Sequence, residues 1–230
     1  MYRSIIVVSG GMDSSTLLHY AIQDHAQVGV SANKLLAVSF DYGQRLAKEL
    51  ECAKWQCHKA GVDHIVVDIK PLAAQMFKRS ALTDASMTVP NVQAVMGDPQ
   101  PVTYVPNRNL LFLEIATAIA ESHGATSVWY GAQKHDVYGY WDTTPEFLKA
   151  VNAVHALNRK HEIEVMAPFI DDPKAAILAI GTQLGVDYSH TWSCYNGLEK
   201  ACGKCATCAE RIKAFKDNGL VDPVPYEIDI

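Results

Sequence analysis

The sequence predicts an α/β fold, a doubly wound and mostly parallel sheet, with a C-terminal four-cysteine zinc element. Three observations carry this. Short, nearly continuous apolar runs alternate with stretches of helical periodicity, the pattern of strands covered on both faces. A glycine-paired turn follows the first of those runs. Four of the six cysteines fall within fifteen residues near the C-terminus.

Ser4 to Val8 reads as the first strand and Ser14 to Ile22 as the helix it feeds. Lys34 to Phe40 is a second strand. Gln44 to Ala60 follows as a helix, with Leu46, Leu50, Ala53 and Cys57 recurring at helical spacing. His64 to Ile69 and Thr126 to Tyr130 are later strands. Ala81 to Pro106, broken by Pro90, Gly97, Pro99 and Pro101, is long for a plain connection and reads as a lid or a loop supporting a site. Asn109 to Ala120 reads as an apolar helix and Pro145 to Lys160 as an amphipathic one. Pro173 to Leu184 is a helix with proline in its first turn.

Composition narrows the partners. Of 230 residues 49% are hydrophobic, enough for a real core, and the net charge is -5. A chain whose main partner is a nucleic acid usually carries a basic surface, so a small-molecule substrate is expected. No run of about 18 apolar residues predicts a membrane span. Ile5 to Val8 is too short for a signal-peptide core. The expectation is a cytoplasmic protein.

Ligands on doubly wound sheets bind beyond the carboxyl ends of the strands, so the loops after strands matter most. The first is Ser9-Gly10-Gly11-Met12-Asp13-Ser14. Its glycines let backbone N–H groups close on an anion, and the next helix adds free N–H groups and its positive dipole end. Ser9, Ser14, Ser15 and Thr16 supply hydroxyls. No lysine follows the glycines, so this is not the Gly-Lys-Ser/Thr phosphate loop. Asp13 either fixes the loop through backbone N–H groups or binds Mg²⁺. Such a loop suits a nucleotide cut between its α- and β-phosphates. After the second strand, Phe40-Asp41-Tyr42-Gly43-Gln44 lies beside it, where the backbone could bracket an adenine and Asp41 or Gln44 could face substrate.

Cys194, Cys202, Cys205 and Cys208 supply the four thiolates of a closed, structural tetrahedral zinc. Lys200, Lys204 and Arg211 lie near enough in sequence to offset the negative charge of that site. A redox Cys-x-x-Cys pair and an iron–sulfur cluster are the alternatives. Cys52 and Cys57 read as core residues.

The glycine-paired loop matches the PP-loop ATPase superfamily, which releases AMP and pyrophosphate. Three more segments follow in order: Phe40 to Arg45, Tyr104-Val105-Pro106-Asn107-Arg108-Asn109, and Thr191-Trp192-Ser193-Cys194-Tyr195 leading into Cys202-Gly203-Lys204-Cys205. Together, from residue 4 to about residue 216, they resemble the 7-cyano-7-deazaguanine synthase family. The resemblance implies conversion of 7-carboxy-7-deazaguanine to the nitrile through an acyl adenylate and the amide, with ATP, Mg²⁺ and Zn²⁺, in a homodimer.

Carried over by that resemblance, Val8, Ser9, Gly10, Gly11, Met12, Asp13, Ser14, Ser15 and Phe40 bind ATP, with Asp13, Ser14 and Arg108 in catalytic roles. Tyr42, Gln44, Arg108, Asp136 and Asp142 face the substrate, Arg108 toward its carboxylate or the phosphates. Cys194, Cys202, Cys205 and Cys208 hold the zinc. Residues 1–188 are expected to form the ATP-binding and catalytic domain and 189–230 a zinc-binding element packed on it. One segment departs from the family: Gln133, Tyr138, Trp141 and Thr143-Thr144 stand where it carries Asn, Ser, Pro and Cys-Arg. The acceptor is accordingly ammonia or another amine. A tRNA-modifying PP-loop enzyme shares the loop, but the acidic balance counts against it.

Overall fold

The structure, a computed structural model, describes residues 1–45, 47–98, 100–134, 140–196 and 199–230. Five strands, β1 (Ser4–Val7), β2 (Leu35–Asp41), β3 (Asp63–Asp68), β4 (Ser127–Trp129) and β5 (Glu164–Met166), form one sheet in the order β3-β2-β1-β4-β5. All four pairings are parallel. Among the described residues seven helices cover it: α1 (Met12–Gln27), α2 (Ala47–Ala60), α3 (Lys70–Met76), α4 (Arg108–His123), α5 (Pro145–His155), α6 (Lys174–Gln183) and α7 (Ala206–Asp217).

The apolar run of β1 puts it at the centre. Successive side chains point to opposite faces, so Ile5 joins Leu36, Leu113 and Val128 in one core. Ile6 joins Leu17, Leu18, Ala37 and Ile177 in the other. A doubly covered sheet results, as expected from the sequence.

Element boundaries moved for local reasons. Helix α1 begins at Met12 because Gly11 already serves as its N-cap. Helix α2 begins at Ala47, not Gln44. Gln44 folds onto its own loop, accepting from the Tyr42 N–H at 3.0 Å and donating to the Phe40 carbonyl at 3.1 Å, which is turn rather than helix chemistry. Among the described residues between Ala81 and Pro106 the regular structure is one 3₁₀ turn, Val92–Ala94. That loop is packed nonetheless. Ala81 and Val89 lie in a cluster with the four cysteines of the C-terminal group, and the Val92 N–H donates to the Lys204 carbonyl at 3.0 Å. It supports rather than covers.

The Thr143-Thr144 departure has a structural account. Thr144 is the N-cap of α5, its Oγ1 accepting from the Phe147 N–H at 3.1 Å. Thr144→Ala should cost about 1 kcal/mol, read as a lowered midpoint in urea at unchanged slope.

At the C-terminal end, α7 is anchored by Arg211. Its buried guanidinium meets Asp222 through Nε at 2.7 Å and Nη2 at 2.9 Å, and donates to Thr191 Oγ1 at 2.8 Å and the Tyr188 carbonyl at 3.2 Å. Four of its five N–H groups are engaged there and none of these bonds is to a cysteine sulfur, so Asp222, Thr191 and Tyr188 rather than the thiolates hold Arg211. Among the described residues no helix is long and apolar enough to cross a membrane.

Candidate active site

At the carboxyl end of β1 the chain turns through Ser9, Gly10 and Gly11 into α1. Gly10 has φ +89°, and a Cβ there would overlap the Glu49 carbonyl oxygen and come within 2.7 Å of the Ala53 nitrogen. The glycine is what lets α2 lie against the loop. Ser14 then organises the turn. Its Oγ accepts from the N–H groups of Ser9 at 3.1 Å and Gly10 at 3.2 Å, and pairs with Ser9 Oγ at 2.9 Å. Ser9 Oγ accepts from the Gly11 N–H at 3.2 Å. Three consecutive backbone donors thus turn inward on two hydroxyl oxygens, a concave nest of the kind that receives anions.

The lysine missing from the loop arrives from elsewhere. Lys174, at the start of α6, meets Asp13 Oδ2 at 2.7 Å and Glu210 Oε2, on α7, at 3.8 Å. Burial works against the lysine charge, but Asp13 and Glu210 outweigh it and hold its pKa above the ordinary value. Asp13 Oδ1 is buried without a hydrogen-bond partner among the described residues. One oxygen of this carboxylate is paired and the other is left for something else.

The loop opens into a cleft of about 260 Å³. Val8, Ser9, Gly11, Met12, Asp13, Ser14, Phe40, Tyr42, Gln44 and Arg108, all predicted, line it. Gly10 and Ser15 do not line it. Gly10 backs onto α2, and Ser15 is fully buried with its Oγ unpartnered among the described residues. Phe40 stacks on Phe112 with centroids 4.2 Å apart, which makes an apolar wall. Asp41 is turned away onto Lys70 at 2.6 Å.

Arg108, the first residue of α4, donates to Tyr42 Oη at 3.3 Å. Burial opposes its charge, yet the oxygens of Tyr42, Tyr195 and Asp142 raise its pKa, so it stays a cation. Asp142 is 3% exposed and lies behind the cleft. Burial raises its pKa, against Arg108 and the N–H groups of Asn109, which pull it down. Gln133 lines the cleft with a buried Oε1 that lacks a partner among the described residues. Asp136 lies outside the described residues.

Beyond one wall the four cysteines converge. All are buried, and their sulfurs lie within 4.8 Å of one another. A tetrahedral ion with thiolates at about 2.3 Å needs sulfurs about 3.8 Å apart, and Cys202 and Cys208 stand at 4.0 Å. Backbone N–H groups of Asn196 and Cys202 point at Cys194 Sγ, and those of Lys204 and Cys205 at Cys202 Sγ, at 3.3–3.4 Å. The set fits one metal ion, and none of the four is in a disulfide. Neither Cys57, in the core beside α1, nor Cys52, which packs against the cysteine cluster, belongs to the four-sulfur set, and burial pushes the Cys52 and Cys57 thiols up to about 11 and about 12.

Three cleft groups escaped the sequence reading. Glu49 and Glu210 look like ordinary helical carboxylates. Lys174 carried one signal, because a cation in the first turn of a helix opposes the dipole there and needs a reason.

A family model described as queuosine biosynthesis protein QueC matches residues 3–219. The chain is 44% identical over 225 residues to 7-cyano-7-deazaguanine synthase 1 of Colwellia psychrerythraea, covering 98% of this chain and 99% of that one. To the 7-cyano-7-deazaguanine synthase of Caldicellulosiruptor saccharolyticus it is 44% identical over 228 residues, covering 99% and 97%. Among solved structures the tRNA thiolase NcsA of Methanococcus maripaludis has a TM-score of 0.51 at 13% identity, over 94% of this chain and 66% of that one. That last likeness is one of fold. The family model and the curated relatives, on a parallel sheet with this loop at the end of its central strand, make the chain an ATP-dependent enzyme of the PP-loop superfamily. It belongs to the QueC family.

Proposed function

We propose that the chain makes 7-cyano-7-deazaguanine from 7-carboxy-7-deazaguanine and ammonia, consuming two ATP and releasing AMP and pyrophosphate. A carboxylate oxygen is a poor leaving group. Its attack on the α-phosphorus breaks the bond to the β-phosphate, and ammonia then displaces AMP from the acyl carbon. Repeating the activation at the amide oxygen and expelling AMP leaves the nitrile. The protein's task is placement and charge stabilisation. One observation carries the reading: in a chain of this family, the phosphate nest and a charged Arg108 share a single cleft.

In this reading Ser9, Gly10, Gly11 and Ser14 cradle phosphate, with Val8, Met12, Ser15 and Phe40 shaping the nucleotide site. Arg108 takes the substrate carboxylate. Tyr42 and Gln44 border the deazapurine, Asp142 acts from behind the cleft on Arg108, Asp136 is a further substrate residue by the family resemblance, and Gln133 Oε1 is an acceptor for the deazapurine N–H groups. Asp13 would bind Mg²⁺, which neutralises phosphate charge. Four thiolates favour Zn²⁺, and a closed set leaves no water position, so the metal is structural. Residues 1–188 serve as the catalytic domain and 189–230 as the zinc element, in a cytoplasmic homodimer without a nucleic-acid partner.

The test is to incubate protein, ATP and 7-carboxy-7-deazaguanine with ammonium and weigh the products. Nitrile with two AMP for each nitrile is expected. ADP in place of AMP overturns the reading.

Lys174 should matter at the phosphates. Lys174→Met is expected to lower kcat for pyrophosphate release by about 10²-fold or more while the thermal melt stays near that of the parent. An unchanged kcat would leave the lysine as no more than a partner for Asp13.

A further inference from the structure

We infer that Glu49 is a catalytic residue of this reaction, the group that takes the proton from ammonium so that ammonia can attack the acyl adenylate. The inference rests on the reading above. Glu49 lies in the first turn of α2 and lines the cleft that holds the phosphate nest and Arg108. Its own carbonyl oxygen is pressed against Gly10, so its distance from the nest is fixed by backbone packing. Among the described residues its carboxyl makes no ion pair and no hydrogen bond. A half-buried carboxyl without such a partner, in the cleft where the acyl adenylate would form, is placed for proton transfer.

Its environment suits that task. Arg108 and Tyr42 face it across the cleft and Cys52 lies three residues along its own helix. Asp13, Lys174 and Glu210 occupy the phosphate end, and Tyr195 stands beside Arg108. Burial pushes the Glu49 carboxyl up to about 8, with Arg108 pulling it down. An ordinary glutamate is far too weak a base for ammonium, whereas one raised toward neutrality is close to matched. The step balances. Ammonium gives one proton to the Glu49 carboxylate, the freed nitrogen lone pair forms the C–N bond, and the C–O bond to AMP breaks with its electrons leaving on AMP, whose phosphate takes the second proton from the acylated nitrogen.

The test follows single turnovers of Glu49→Gln and Glu49→Asp with ATP, 7-carboxy-7-deazaguanine and ammonium. Substrate-dependent pyrophosphate release is expected to stay within a few-fold of the parent in both. Amide formation at pH 7.5 should fall by about 10²-fold or more in Glu49→Gln, with acyl adenylate accumulating. Glu49→Asp, which keeps the carboxylate, should lose less. The Glu49→Gln deficit should shrink as pH rises toward the pKa of ammonium, because free ammonia then needs no base. Amide formed at the parent rate, a deficit that does not change with pH, or pyrophosphate release lost together with amide formation each overturn the assignment. If the parent releases no pyrophosphate with this substrate, the proposed function fails instead.

Discussion

Gly10→Ala is expected to abolish ATP binding and to destabilise the protein by at least about 3 kcal/mol. Two effects add. An alanine held at the observed φ of +89° pays about 1–3 kcal/mol in backbone strain. Its Cβ would also overlap the Glu49 carbonyl and approach the Ala53 nitrogen to 2.7 Å. Those are backbone atoms of a helix, so no rotamer relieves the overlap and α2 must move off the loop. Moving α2 disturbs Ala53 and Cys57, which are fully buried against Leu17 and Leu18. Gly11→Ala is the control. Gly11 has φ −74°, and a Cβ there meets Ser9 Oγ at 3.3 Å, which a small shift of that side chain eases, and the Trp192 carbonyl at 3.6 Å, an ordinary contact. Thermal melts and ATP titrations of the two variants decide the matter. A Gly10→Ala protein as stable as Gly11→Ala would show that close packing of α2 on the loop is not what this glycine is for.

The phosphate loop was legible in sequence because every part of it is local. A strand, two glycines and a helix start follow one another, and the serine that organises the nest is five residues from the hydroxyl it pairs with. The four cysteines were legible for the same reason, since three of them lie within seven residues. Lys174 was not, because its meaning depends on α6 packing beside α1 and delivering an amine to Asp13, 161 residues away. Helix α7 and strand β5 also escaped. Strand β5 has three residues, too few to show a period of two. Helix α7 mixes cysteines and charges, and some of those charges are buried. Arg211 looked like a counter-charge for the thiolates and is one of the most buried large side chains among the described residues, held by Asp222 and Thr191. Sequence spacing reports neighbours along a helix or turn. It does not report which distant segment closes over them.

That closure makes metal removal the most damaging single change. Cys205→Ser, or chelation of the parent, should release metal, unfold the segment from about residue 191 to residue 208, and abolish ATP binding. Structural sites of this type contribute about 10–16 kcal/mol at neutral pH. The cysteines are buried with Trp192, Ala201 and Val224, and a cluster that small has little apolar area to replace the metal bonds. The damage should reach the active site although no cysteine lines the cleft. Trp192 donates its backbone N–H to the Gly10 carbonyl at 3.0 Å, and Lys48 of α2 sits 3.7 Å above its ring. Ser193 and Tyr195, on either side of Cys194, line the cleft itself. A metal held by these four cysteines would therefore clamp the back of the phosphate loop. Cys52→Ser, which alters a thiol outside the set, should leave metal content and ATP affinity within about twofold, the small change ordinary for a site with no such role. Metal analysis, hydrogen exchange over 191–208 and ATP titration on the same samples test the chain of effects. A metal-free protein that still binds ATP with parent affinity would break it at the Trp192–Gly10 contact.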